Sequence, residues 1–190
     1  MDIYSQLTEK NFAILDENID FNFYFNQLDM EKFENIELKS WINSKILKIY
    51  SGKIFDLMIK LEKIIFPIYE ELLNTSLKMH FNSKNSLTSS IYYSKESGFH
   101  ESHNDWGIFN IVIQDNSPNC MYIYDKEWKL LDNRYKICIL NGEYAEKYSH
   151  GKLKSCTHKV IKPYGFERKI ITKICYPSNE NLKEKVNNWL

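Results

Sequence analysis

The stretch Gly98-Phe99-His100-Glu101-Ser102-His103-Asn104-Asp105-Trp106-Gly107 concentrates more metal-binding chemistry than any other part of the chain. It lies between two strand-like runs, one ending in Tyr92-Tyr93 and one over 108–113. In extended backbone successive side chains leave opposite faces, so His103 and Asp105, two apart, leave the same face. An imidazole and a carboxylate on one face can share a cation. A second histidine from another strand would complete a two-histidine, one-carboxylate set. Such a set occupies one face of an octahedral ion and leaves the remaining positions open. Structural zinc takes four closed ligands and Mg2+ prefers oxygen, so this donor mix points to Fe(II).

Working outward, short apolar or alternating runs follow one another over 90–93, 108–113, 121–124, 136–140, 145–148, 157–161 and 169–176. Turn residues separate them, as in Asp115-Asn116-Ser117-Pro118-Asn119, Asn141-Gly142 and Pro163-Tyr164-Gly165. Many short strands with regular punctuation predict a β-sandwich or barrel. Upstream, apolar residues at Leu57, Met58, Leu61, Ile64, Ile65, Ile68, Leu72 and Leu73 fall at helical spacing, with Gly52 and Pro67 as breaks or kinks. Trp41, Ile42, Ile46, Leu47 and Tyr50 suggest a similar helical stripe. A short terminal helix is expected over 179–190. Helices first and strands after predict an α+β arrangement, with N-terminal helices packed on one face of a β-roll.

The third histidine lies in Tyr148-Ser149-His150-Gly151-Lys152-Leu153-Lys154-Ser155-Cys156-Thr157-His158-Lys159-Val160, read as a turn at Gly151 and a strand reaching His158. Arg168 opens the next run. With Tyr92-Tyr93, His103-Asn104-Asp105-Trp106-Gly107, Gly142-Glu143 and Ser149 to Ser155, these motifs stand in an order that resembles the isopenicillin-N-synthase-like 2-oxoglutarate and Fe(II)-dependent oxygenases. The resemblance covers roughly residues 86–177.

That resemblance implies a double-stranded β-helix, the jelly-roll or cupin-like core, in a single domain over 1–190. About 1–80 would give helical support and about 86–177 the site-bearing roll. It implies His103, Asp105 and His158 as iron ligands. Arg168 would pair with the distal carboxylate of 2-oxoglutarate, as a guanidinium fork suits a carboxylate, and Tyr93 would contact its other end. Trp106, Phe109 and Ile170 would wall the substrate cavity. The implied activity is a dioxygenase consuming 2-oxoglutarate and O2, releasing succinate and CO2, and hydroxylating or desaturating a small or carrier-bound substrate. With a carboxylate at Asp105, halogenation is not implied.

Two positions depart from the family pattern. Ile170 stands where a Ser two after the Arg is usual, and Ile91 where an Asn two before the second Tyr is usual. Each removes a neutral hydrogen bond worth ~1 kcal/mol. An iron oxidase that does not use 2-oxoglutarate therefore stays open, as does a non-catalytic metal-binding β-roll. His80, His100 and His150 are expected to be surface or capping residues, and Gly151 to serve a hairpin turn.

Twenty-five basic residues balance twenty-five acidic ones, so no global charge favours nucleic acid or an anionic membrane as partner. The lysines between Lys152 and Lys173 alternate with apolar residues and read as exposed strand faces. No apolar run approaches the ~18 residues of a membrane span, and residues 1–5 do not resemble a signal peptide. Cys120, Cys138, Cys156 and Cys175 include no CxxC pair, so buried free thiols in a cytoplasmic setting are expected.

Overall fold

The computed structural model describes residues 2–15, 17–36, 41–42, 44–77, 86–95, 99–161 and 165–176. Its helices are α1 (Ile3–Lys10), α2 (Phe21–Phe25), α3 (Lys53–Leu73) and α4 (Glu143–Tyr148). Its strands are β1 (Phe12–Leu15), β2 (Glu34–Asn35), β3 (Trp41–Ile42), β4 (Ser44–Lys48), β5 (Leu87–Tyr93), β6 (Phe99–His103), β7 (Phe109–Gln114), β8 (Met121–Asp125), β9 (Glu127–Leu130), β10 (Ile137–Asn141), β11 (His158–Val160) and β12 (Arg168–Cys175). They form a major sheet in the order β1-β10-β7-β12-β5-β4-β2 and a minor sheet in the order β3-β6-β11-β8-β9. The ladders are antiparallel. The expected α+β jelly roll is the fold observed.

The major sheet is covered on both faces, which is why β7 and β10 are buried at every position. On its outer face Phe109, Ile111, Ile113, Ile139 and Ile171 pack under α3, through Leu57, Met58, Leu61, Ile65 and Tyr69. Between the sheets lies a second cluster that includes Ile91, Tyr93, Val112, Met121, Ile123, Val160 and Ile170. The site occupies this second layer. The four cysteines are buried and free, and no described helix is long and apolar enough to cross a membrane.

Several expectations are corrected. Residues 41–42 and 44–48 form strands, not a helix: Trp41 pairs with His100 of β6, and Ser44, Ile46 and Lys48 pair with Tyr93, Ile91 and Ser89 of β5. Cross-strand pairing overrides an ambiguous short apolar run. The N-terminal part is therefore helical support with strands inserted in it. Pro67 does not end α3. It and Lys63, whose carbonyl loses a partner, lie on the exposed side of the helix, where solvent meets that carbonyl. Residues 145–148 belong to α4, because Tyr144 and Tyr148 stack one helical turn apart. Gly151 (φ 82°) closes that helix, its N–H donating to Glu146 O at 2.8 Å, and is a helix stop, not a hairpin turn. Lys173 is fully buried beneath α3, 3.0 Å from the Glu62 carboxylate. The expected helix over 179–190 and His80 lie outside the described residues.

Candidate metal centre

His103 ends β6, His158 begins β11, and the two are direct antiparallel partners. Their rings stand side by side with centroids 4.2 Å apart. Asp105 follows β6 by two residues, its backbone fastened by the Glu143 N–H donating to its carbonyl at 2.8 Å. The anchor is tight because Gly142 lies against Gly107: a Cβ at Gly142 would come within 1.9 Å of the Gly107 carbonyl oxygen. The Gly142-Glu143 pair thus holds the loop that carries the carboxylate.

The three side chains converge. His103 Nε2 is 3.7 Å from Asp105 Oδ1, and His158 Nε2 is 3.8 Å from Asp105 Oδ2. One ligand atom from each lies within 4.8 Å of the others, and no further His, Cys, Asp or Glu among the described residues joins the group. The ring orientations suit a metal. His103 Nδ1 lies 2.7 Å from Glu101 O and His158 Nδ1 lies 3.0 Å from Cys156 O. A carbonyl only accepts, so each Nδ1 carries the hydrogen and each Nε2 keeps its lone pair toward the centre. Burial, and then the neighbouring His158, push the His103 pKa down to about 4, which keeps the ring in its ligating form.

Behind the carboxylate stands a relay that was not anticipated. Asn110 Nδ2 donates to Asp105 Oδ2 at 2.6 Å, and Thr172 Oγ1 donates to Asn110 Oδ1 at 2.6 Å. Partners of this kind orient a ligating carboxylate. The available signal was Asn110 and Gln114, polar at alternate positions of the otherwise apolar β7. Alternation places both on the inner face.

His100 is corrected from surface to interior: it is buried and its ring lies 3.6 Å, centroid to centroid, from that of His103. The cause is a register shift. His103 pairs with His158 and His100 with Val160, so two residues of β6, Glu101 and Ser102, oppose the single Lys159 of β11. A bulge of this kind turns a three-residue spacing into a same-face spacing. Burial drives the His100 pKa far down. His150, with φ 52°, is exposed.

A cavity of about 140 Å³ opens from this centre between the sheets. Trp106, Ile170, Tyr93 and Arg168 line it, as do His100 and the departing residue Ile91. Phe109 does not; its side chain points to the helical layer and stacks on Tyr69 at 4.8 Å, because its parity on β7 is opposite to that of Asn110. Ile170 and Ile91 are register partners on adjacent strands, so the two departures form one apolar step.

Arg168 is fully buried. Its Nε donates to Gln114 Oε1 at 2.8 Å, and its guanidinium lies 5.1 Å from the centre of the Tyr93 ring. Its Nη1 and Nη2 are buried without a hydrogen-bond partner among the described residues. A buried cation with two unpaired donors is costly unless an anion meets it. Burial pushes the Tyr93 phenol up to about 12, against the pull of Arg168, so it stays a neutral hydroxyl near neutral pH.

No protein-family model matches the chain and no curated protein matches it in sequence. Solved structures do. A full-length Neurospora crassa protein in complex with alpha-KG is 14% identical, with 94% of this chain and 79% of that one covered at a TM-score of 0.70. A Pseudomonas putida prolyl-4-hydroxylase is 12% identical, with 92% and 96% covered at 0.68. JOX2 in complex with 2OG, Fe and JA is 12% identical, with 94% and 71% covered at 0.65. At such identities the likeness shows the fold: this chain has the double-stranded β-helix found in those proteins.

Proposed function

We propose that this protein is a mononuclear non-haem Fe(II) oxygenase that uses 2-oxoglutarate and O2 and hydroxylates or desaturates a small organic substrate. The observation that carries the reading is one cavity holding both parts such an enzyme needs. One part is the His103–Asp105–His158 group, whose lone pairs converge. The other is a buried Arg168 whose two Nη nitrogens have no hydrogen-bond partner among the described residues. Three neighbours of this fold carry alpha-KG, 2OG or Fe in their crystals, or hydroxylation in their name. The motif order favours the isopenicillin-N-synthase-like branch.

The residues fit the missing groups. Two imidazole nitrogens and one carboxylate oxygen suit Fe(II) and leave positions open for two further reactants. Bound together, Fe(II), 2-oxoglutarate and O2 supply an oxidative decarboxylation to succinate and CO2 that is coupled to removal of hydrogen from the substrate. The protein contributes geometry and a dry surround. Asn110 and Thr172 hold Asp105 in place, and Glu101 O and Cys156 O hold the imidazoles. Gln114 turns Arg168 so that its two free nitrogens serve a carboxylate, with the neutral Tyr93 hydroxyl nearby. Ile91, Val112, Met121 and Ile170 exclude water.

One observation favours a second reading, an iron oxidase that does not use 2-oxoglutarate: the Ile170–Ile91 step beside Arg168 offers a carboxylate no hydroxyl or amide. Turnover without the true substrate separates the two. With Fe(II) and O2, the protein should slowly convert 2-oxoglutarate to succinate and CO2, and His103→Ala, Asp105→Ala and His158→Ala should each abolish this. Wild type that makes no succinate under these conditions, yet consumes O2 once an oxidisable substrate is added without 2-oxoglutarate, would favour the oxidase.

A further inference from the structure

The inner face of the major sheet is a grid whose rows follow from strand register. Arg168, Tyr93 and Ser44 form one row; Ile170, Ile91 and Ile46 the next; Thr172, Ser89 and Lys48 the third. Two cations line the cavity, Arg168 and Lys48, and they stand at opposite corners of this grid. Four residues along a strand and two strands across place their Cα atoms about 16 Å apart, with the apolar Ile170–Ile91–Ile46 row between. A single small dicarboxylate held by Arg168 at one end and the metal at the other does not extend to Lys48.

Lys48 shares its row with Thr172, which through Asn110 supports Asp105. Lys48 is two strands, about 10 Å at Cα, from Thr172, and Asn110 on β7 is one strand farther, so the lysine stands apart from the metal centre on the same cavity wall. Ile46 and Leu87 lie next to it in the grid, Ile174 lies beyond Leu87, and Asp105 is the one acidic group on the cavity wall among the described residues. Lys48 has no ion-pair partner among the described residues. A lysine stem often covers apolar surface while its head reaches water. Here the stem lies on the inner face, so the ammonium stands at the mouth of an apolar cavity. The cavity of about 140 Å³ holds one compact ligand, so the body of a larger substrate extends past this lysine.

We propose that the substrate is an apolar organic acid: its carboxylate pairs with Lys48, assisted by the Ser89 hydroxyl, and its aliphatic part lies over Ile46, Leu87 and Ile174. The inference rests on the function proposed above only in taking this cavity as the substrate's.

The test uses hexanoate, hexan-1-ol and hexylamine as probes, with binding read from the quenching of Trp106 fluorescence and Trp106→Phe as the blank. No iron or 2-oxoglutarate is needed, so its failure and that of the oxygenase reading are separable. Arg168→Gln removes the competing cation. In that background hexanoate should bind about fivefold tighter than hexan-1-ol, the scale of one partly exposed ion pair. Adding Lys48→Gln should erase the difference. In the otherwise unaltered protein, where folding is not at risk, Lys48→Glu should make hexylamine bind about fivefold better than it does to wild type. A preference for hexanoate that survives in the double variant, or no gain for hexylamine in Lys48→Glu, would overturn the proposal.

Discussion

Replacing Asn110 with Leu removes the donor that holds Asp105 at 2.6 Å and leaves the Thr172 hydroxyl without its acceptor. Both residues are buried, at 5% and 4% exposure, so water does not readily take over. A hydrogen bond to a charged carboxylate contributes about 1.5–3 kcal/mol. Supporting partners of metal ligands are worth about 10–100-fold in metal affinity. These scales agree, since about 1.4 kcal/mol is a factor of ten. Asn110→Leu should therefore weaken Fe(II) binding about thirtyfold. Thr172→Val, which removes only the outer link, should weaken it about fivefold. The double variant should lose little more than Asn110→Leu alone, because Thr172 acts through Asn110. Anaerobic competition between the protein and a chromophoric chelator measures all three affinities. Additive losses, or an Asn110→Leu protein that holds iron as tightly as wild type, would refute the relay.

Gln114→Leu should weaken 2-oxoglutarate binding about tenfold by calorimetry and leave metal affinity unchanged, since the residue acts on the co-substrate through Arg168 and touches no metal ligand. Equal losses of both would make Gln114 a packing residue. Ile170→Ser places a hydroxyl two residues from Arg168 on the same face and should tighten 2-oxoglutarate about fivefold; an unchanged affinity would mean that the co-substrate does not lie along that row. Gly142→Ala forces a Cβ to within 1.9 Å of a backbone oxygen that cannot swing away. The expected cost of about 1–3 kcal/mol lowers Tm by roughly 3–10 °C and loosens the metal by moving Asp105. A melt unchanged from wild type would show the Gly107–Gly142 approach to be slack.

The roll and the metal group were legible because both follow from local rules. Alternating runs such as 108–113 and 169–176 became β7 and β12, and the two-residue spacing of His103 and Asp105 put both at one centre. What was hidden depends on pairing. Residues 41–42 and 44–48 become strand only through their ladders with β6 and β5. His100 reaches the interior only through a bulge that no spacing rule reveals. Phe109 was misplaced for want of its parity on β7, and that parity also hid Asn110 and Gln114, whose polarity inside an apolar strand was the clue. Strand β9, Glu-Trp-Lys-Leu, is exposed at every position and so has no buried alternation to betray it. Lys173 read as surface because the Glu62 that meets it lies on α3, far away in sequence.

The central claim is that one cavity holds Fe(II) on His103, Asp105 and His158 and 2-oxoglutarate against Arg168. Anaerobic addition of 2-oxoglutarate to the Fe(II)-loaded protein, followed in the visible spectrum, tests both halves at once. A weak metal-to-ligand charge-transfer band should grow and saturate at one equivalent of iron. It should be absent in His158→Ala, which cannot hold the metal. In Arg168→Ala it should need at least about thirtyfold more 2-oxoglutarate, for the loss of a buried charge partner. An Fe(II)-loaded wild-type protein that shows no band at any 2-oxoglutarate concentration, or a band indifferent to Arg168→Ala, would contradict the account.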